Sequence, residues 1–304
     1  MNGPATTAQY DLHLHTYWSY DASAELENHF TQATALGVRC IAITEHHVLD
    51  SLPYVVATCA RYPELCVIPS AELSVNTSIG AVDLLCYGFP LEAPASLQRV
   101  LDSYHAWQRE TGDAMCKGLQ ALGYDYTSEH RLELLQSYRP EHTLDVQGVT
   151  HVKNGLQRDY FLQRGFISSE EEYAEISARA QNEVAFPPYP EVSYAIPAVK
   201  EAGAVVAIAH PHGYFAQGDE HRMDALRDEC QLDGIECAHQ GVPADFTPIY
   251  RAYCVDHGLF SSGGSDSHSD EDIDTKFAAH GGPDEWLDEL LERVGERALN
   301  RKIG

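Results

Sequence analysis

Residues 204–213 read AVVAIAHPHG. The first six are apolar, with β-branched side chains at Val205, Val206 and Ile208, and the run is too short for a helix. It reads as a strand buried on both faces, the signature of a parallel sheet. His210 closes the run, where an imidazole without a partner would be costly.

The same pattern recurs on both sides of this stretch. Strands are predicted at Tyr10–Thr16, Cys40–Thr44, Cys66–Ser70, Ala81–Phe89, Gly234–Cys237 and Leu259–Ser262. Helical patterns lie between them at Glu25–Leu36, closed by Gly37, and at Leu49–Arg61, Val192–Glu201, Arg222–Gln231 and Pro248–His257. Alternation of this kind implies a parallel α/β sheet and, at 304 residues, a barrel. One region interrupts it. Residues 95–190 carry helical patterns at Ser96–Leu122, Ser128–Ser137, Val149–Arg164 and Ser169–Ala180, with no strand. Pro187, Pro188 and Pro190 mark the return. The expected organisation is a barrel domain from 1–94 and 191–304, with a helical insertion domain at 95–190.

Composition narrows the function classes. Twenty Lys and Arg stand against 46 Asp and Glu, a net charge of −26. Such a surface repels phosphate backbones and argues against tight nucleic-acid or anionic-membrane binding. A small phosphorylated substrate remains compatible, because divalent cations reverse the local sign. No apolar run reaches 18 residues, and Met1–Gln9 has neither a basic nor an apolar leader segment. Eight cysteines without a CxxC pair read as buried, reduced thiols, so a cytoplasmic protein is expected.

The predicted strands end in potential metal ligands: DLHLH, AITEH, PSAE, AIAH, IECAH and GGSDSH. With 46 Asp or Glu and 16 His, about one residue in five is of these types, and they gather where a barrel builds its active site. His13 and His15 share one strand face, leaving Leu12 and Leu14 to pack on the other. Glu72 is expected in a polar turn after its strand, where a carboxylate can bridge two ions. Asp266 and His268 again share a face, with glycines giving close access. Together these endings point to one polynuclear metal site.

These residues carry a resemblance. DLHLHT, ITEHH, AELS, AIAHPHG and GGSDSH resemble the PHP (polymerase and histidinol phosphatase) family, and GVTHVKNGLQRDYFLQRGF resembles its RPHxAxxLxxxG stretch. The resemblance implies a distorted (β/α)7 barrel and two or three divalent ions (Mn, Fe or Zn) that hydrolyse phosphoesters. It assigns His13, His15, Glu72 and Asp266 to a first ion, with Glu72 bridging to a second that His210 also binds. His46 and His268 go to a third, with Asp21 as partner. Two positions depart from the pattern. The family's Asp lies five residues past the second His, where this chain has Tyr20, with Asp21 one later. Eleven residues past Glu72 the family has a His, where this chain has Asp83, a competent but harder ligand. His151 matches the RPH histidine, but Val149 and Thr150 precede it and the Arg is missing.

The implied function is a metal-dependent phosphatase in which metal-activated hydroxide attacks a small phosphate monoester, a nucleotide or similar. His151 is the candidate general acid, and His212, two beyond His210, is a second catalytic candidate. Lys153 and Arg158, expected on one helix with His151, are candidates to replace the missing positive charge. His47, Glu236 and His239 lie near the same rim. Three other readings stay open: a 5′–3′ exonuclease on short oligonucleotides, an amidohydrolase-type hydrolase, and a non-catalytic PHP module. Oligomeric state is not legible in the sequence.

Overall fold

The computed structural model describes residues 8–301; most of the N-terminal stretch read for a leader lies outside them. The elements run β1 (Tyr10–Leu14), α1 (Leu26–Leu36), β2 (Cys40–His46), α2 (Leu52–Cys59), β3 (Cys66–Thr77) and β4 (Gly80–Tyr87). Five helices follow: α3 (Ala95–Ala121), α4 (Ser128–Gln136), α5 (Glu141–Gln147), α6 (Asn154–Gln163) and α7 (Glu172–Glu183). The chain then continues through α8 (Val192–Glu201), β5 (Val205–Ile208), α9 (Glu220–Cys230), β6 (Gly234–Ala238), α10 (Thr247–His257), β7 (Phe260–Gly263), α11 (Asp270–Lys276) and α12 (Asp284–Val294).

The seven strands form one sheet in sequential order. It nearly closes into a barrel, because the chain just past β7 returns to β1: Asp266 N–H donates to His13 O at 2.8 Å and His15 N–H to Ser267 O at 3.0 Å. The expectation of a parallel sheet needs one correction: β4 runs antiparallel to both β3 and β5. The cause is local. Only Ser78 and Ile79 separate β3 from β4, and a parallel connection needs a dozen residues or more. Strand β3 therefore runs seven residues past its predicted end, and Glu72 lies inside it rather than in a turn.

A second correction concerns β1. Three steps along β1, from Asp11 to Leu14, match two along β2, from Ile41 to Ile43. The extra residue breaks the alternation. Leu12 packs in the barrel core with Tyr10, Ala42 and Ile68, whereas Leu14 packs outside with Phe30, Ile43 and Val67 under α1 and α2. Leu12 and Leu14 thus do not share a face. His13 and His15 still converge: the Nε2 of each approaches Glu72 Oε2.

Helix α3 belongs to two cores. Leu97, Val100, Leu101 and Tyr104 pack into the barrel core. Met115, Cys116 and Leu119 pack with Tyr126, Phe161, Ile176 and Ala180 in a core of the helical region. There α3 and α7 approach backbone to backbone: a Cβ on Gly118 would lie 2.4 Å from Ala180 O. The helix predicted at Val149–Arg164 starts only at Asn154, so His151 precedes it in non-helical chain. All eight cysteines are buried and free. Among the described residues, no helix is long and apolar enough to cross a membrane.

On α1, His29 is fully buried and its Nε2 donates to His15 O at 2.9 Å. Burial pushes this imidazole down to about 4 from 6.5. Its folded pKa is below the unfolded value, so its contribution to stability is present above pH 6.5 and lost as pH falls towards 4. The full span is worth roughly 3 kcal/mol. Cation-free protein should therefore lose thermal stability from pH 7 to 5. His29→Gln, which retains a donor for His15 O, should flatten that slope in a melting series. An unchanged slope would remove His29 as a cause.

Candidate metal centre

Among the described residues, four groups of ligand atoms gather at one end of the barrel; one of them, His13, Glu236 and His239, shares His13 with the first of the other three. The first comprises His13, His15, Glu72 and Asp266. His13 Nε2 lies 3.1 Å from Glu72 Oε2 and 3.4 Å from Asp266 Oδ1; His15 Nε2 lies 3.3 and 3.2 Å from the same two oxygens. The second comprises Glu72, Asp83 and His210. His210 Nε2 is 3.2 Å from Glu72 Oε1 and 3.8 Å from Asp83 Oδ2. In the third, Asp21 Oδ2 lies 3.5 Å from His46 Nε2 and 3.6 Å from His268 Nε2, and the two imidazole nitrogens are 3.4 Å apart. His15 adjoins this group as well. Glu72, only 1% exposed, turns one oxygen to the first group and the other to the second.

The ring orientations test whether this arrangement suits cations. His13 Nδ1 donates to Glu236 Oε1 at 2.9 Å, and His15 Nδ1 to Ser19 Oγ at 3.3 Å. Each ring then has Nε2 turned to the carboxylates of Glu72 and Asp266. A bare nitrogen lone pair facing an anionic oxygen is repulsive unless a proton or a cation lies between them. Among the described residues, His15 Nε2 has no hydrogen-bond partner despite its two near oxygens. Separations of 3.1–3.4 Å are those of two ligands on one ion, about 3.0–3.5 Å apart when each bond is 2.0–2.2 Å. The donor set of imidazoles and carboxylates suits divalent ions such as Mn, Fe or Zn.

Electrostatics agrees. Burial disfavours the His210 cation, but the hydrogen bond and charge of Glu72, with Glu236 and Asp83, outweigh it and push its pKa up to about 9. His268 also reaches about 9, with Asp21 overcoming its burial. Glu72 is held well below the carboxylate range: burial opposes ionisation, and His13 and His46 overcome it. Cation-free, this site holds protons where divalent ions would supply the charge.

Buried side chains brace the ligands. Glu236, fully buried on β6, accepts from His13 Nδ1 and, at 2.6 Å, from the backbone N–H of His210. His239 Nδ1 accepts from Gly241 N–H at 2.9 Å, which leaves its Nε2–H directed at Asp266 Oδ2, 3.4 Å away. His210 and Asp266 have φ of 29° and 55°, a left-handed backbone that side chains adopt at a cost. Gly264 is required by close approach, since a Cβ there would meet His13 Cβ at 2.4 Å. Sequence reading missed Ser19 and Glu45: Glu45 accepts from Ser19 Oγ at 2.6 Å and from Thr16, bracing the loop behind His15. It also missed Tyr214, whose hydroxyl donates to Asp83.

The remaining candidates separate. His151 stands beside the third group, its ring 3.8 Å from that of Tyr20, which is 5.5 Å from His46. Its Nδ1 donates to Gln108 O at 3.3 Å, and burial pushes it down to about 4. The neutral ring offers Nε2 as an acceptor; to act as an acid it needs a substrate's negative charge to raise its pKa. His212 does not join the cluster: it packs on Phe246 and lies 3.2 Å from Tyr250 Oη. Lys153 occupies the N-cap position of α6 without a capping bond from its side chain, and Arg158 pairs with Glu170 at 3.0 Å. His151 and the other two do not share a helix. His47 is buried against Tyr104, ring to ring at 4.9 Å, and its Nε2 donates to Ser74 Oγ at 3.0 Å.

The barrel delivers a cluster of potential metal ligands to one end. The chain belongs to the PHP family, whose profile, described as the PHP domain, matches residues 11–185. Among solved structures it is similar to one from Bifidobacterium adolescentis, described by inference as a metal-dependent phosphoesterase. That match has 20% identity and a TM-score of 0.73, and covers 96% of this chain and 98% of the other. It is also similar to a protein from Chromobacterium violaceum, described as an amidohydrolase with bound sulfate and no metal. Identity is again 20%, with a TM-score of 0.69 and 95% and 99% coverage. No curated protein matches the chain.

Two outcomes follow. His13→Ala with His15→Ala should remove one divalent ion per chain by elemental analysis, while circular dichroism shows the barrel folded; a full complement of ions would refute the first group. Cation loading should also release protons. Imidazoles with pKa about 9 must lose them to bind, so Mn²⁺ affinity should rise with pH up to about 9. Calorimetry in buffers of different ionisation enthalpy reads the protons directly, and equal heats would count against it.

Proposed function

We propose that this PHP-family protein is a phosphatase acting on a small phosphate monoester. The observation that carries this reading is the shared carboxylate: Glu72 joins two ligand groups, and a third adjoins them through His15. Three cation positions side by side suit an anion with several oxygens better than a neutral amide carbonyl. The site is open, since Asp21, Asp83, His210, Asp266 and His268 are each 19–25% exposed. The net charge of −26 favours a small substrate over a nucleic-acid chain.

Mn, Fe or Zn held by these residues would supply an activated water and stabilise charge on phosphoryl oxygens. The protein's own groups do the rest. Glu236, Ser19 and His239 fix the ligand rings and the Asp266 carboxylate, so little reorganisation accompanies the reaction. His151, its ring 3.8 Å from that of Tyr20, is the candidate acid for a bound monoester; the phosphate's charge would raise its pKa and let Nε2–H protonate the leaving oxygen. The sulfate described for the Chromobacterium violaceum protein, an anion of phosphate shape, supports the reading; that protein's description as an amidohydrolase supports the rival one.

The test is a phosphate-release screen of the Mn²⁺-loaded protein. It should cover nucleotides, sugar phosphates and amino-alcohol phosphates, beside a panel of amides and lactones. Phosphate release that chelation abolishes and Mn²⁺ restores is the expected result. Hydrolysis confined to amides or lactones would overturn it in favour of the amidohydrolase reading.

A further inference from the structure

Asp83 is the one ligand of the second group on the antiparallel strand β4, where it pairs in register with Ser74 of β3. A carboxylate turns easily about its last bond, because that torsion has no sharp staggered wells. Its orientation must be imposed from outside. Here each oxygen has its own donor. Ser74 Oγ donates to Oδ1 at 2.5 Å, and that hydroxyl itself accepts from His47 Nε2. Tyr214 Oη donates to Oδ2 at 2.7 Å. Oδ2 is also the oxygen nearest His210 Nε2. A carboxylate oxygen has two acceptor positions, so the phenol takes one and leaves the other towards His210 and Glu72.

Tyr214 lies four residues after His210, on a tight loop braced by Phe215 N–H to Pro211 O and Gln217 N–H to His212 O. Its ring stands 5.8 Å from that of His210. The loop that supplies one ligand of the group thus also supplies the donor that aims another.

We propose that Tyr214 is the positioning residue of the second cation site: its hydroxyl fixes the Asp83 carboxylate and so sets how tightly that site holds a divalent ion. The proposal rests on the metal-centre reading above and adds a residue that neither the family pattern nor the ligand groups contain.

The experiment is a Mn²⁺ titration of cation-free protein, read by equilibrium dialysis and elemental analysis. Tyr214→Phe keeps the ring and removes only the hydroxyl. It should weaken one ion about 10–100-fold and leave the others unchanged. The control is Asp83→His, whose ligand is a ring without a second oxygen to aim. Adding Tyr214→Phe to Asp83→His should cost no further affinity. Wild-type affinity at every site in Tyr214→Phe would overturn the proposal. Equal weakening in both backgrounds would also overturn it, because it would show general loosening of the loop. A wild-type protein that binds no Mn²⁺ would instead overturn the metal-centre reading, and the proposal with it.

Discussion

The buried carboxylate of Glu72 is the group on which the arrangement depends. It faces His13 and His15 on one side, His210 on another, and His46 Nδ1 at 3.3 Å on a third. An anion so deeply buried is tolerable only with compensating charge close at hand. The barrel meets this by aiming imidazoles at it from β1, β2 and the loop after β5. In register, His46 of β2 stands beside Glu72 of β3, and Leu85 of β4 covers its other flank. Strand β3 must run on past the usual strand end for this to happen. The two-residue hairpin that makes β4 antiparallel also brings Asp83 to the site.

Much of the centre was legible because it repeats. Six predicted strands end in potential ligands, and recurrence separates a site from isolated histidines. All nine residues proposed as ligands from the sequence fall within the three adjacent groups in space. The pattern misled where a strand had already stopped. His212 follows His210 by two, which means a shared face only along a strand. Strand β5 ends at Ile208, and at His210 the backbone turns left-handed, so the alternation does not reach His212. The same limit explains Leu12 and Leu14, where one extra residue in β1 reverses the facing.

What sequence could not supply was the bracing. Ser19 holds His15, Ser74 and Tyr214 hold Asp83, and Glu45 holds Ser19 and Thr16 behind them; which of these side chains meet is decided by the folded chain, and no spacing rule gives it. Glu236 and His239 were visible as polar residues on a strand ending. Their tasks depend on which imidazole nitrogen donates, and only a neighbour's position decides that.

Helix α3 is a rod of about 40 Å, at 1.5 Å per residue over its 27 residues. Its first half is set in the barrel core and its second in the core of the helical region. Between them Tyr104 donates to Ser74 O at 2.8 Å and Gln108 to His46 O at 3.2 Å. A rod fixed in two places cannot tilt in one without moving in the other. The barrel and the helical region therefore share one continuous element, which touches the backbone of a candidate metal ligand, His46. The same helix thus serves the helical core and the wall of the site, and its barrel half meets the strands at the backbone of Ser74, beside Asp83, and of His46.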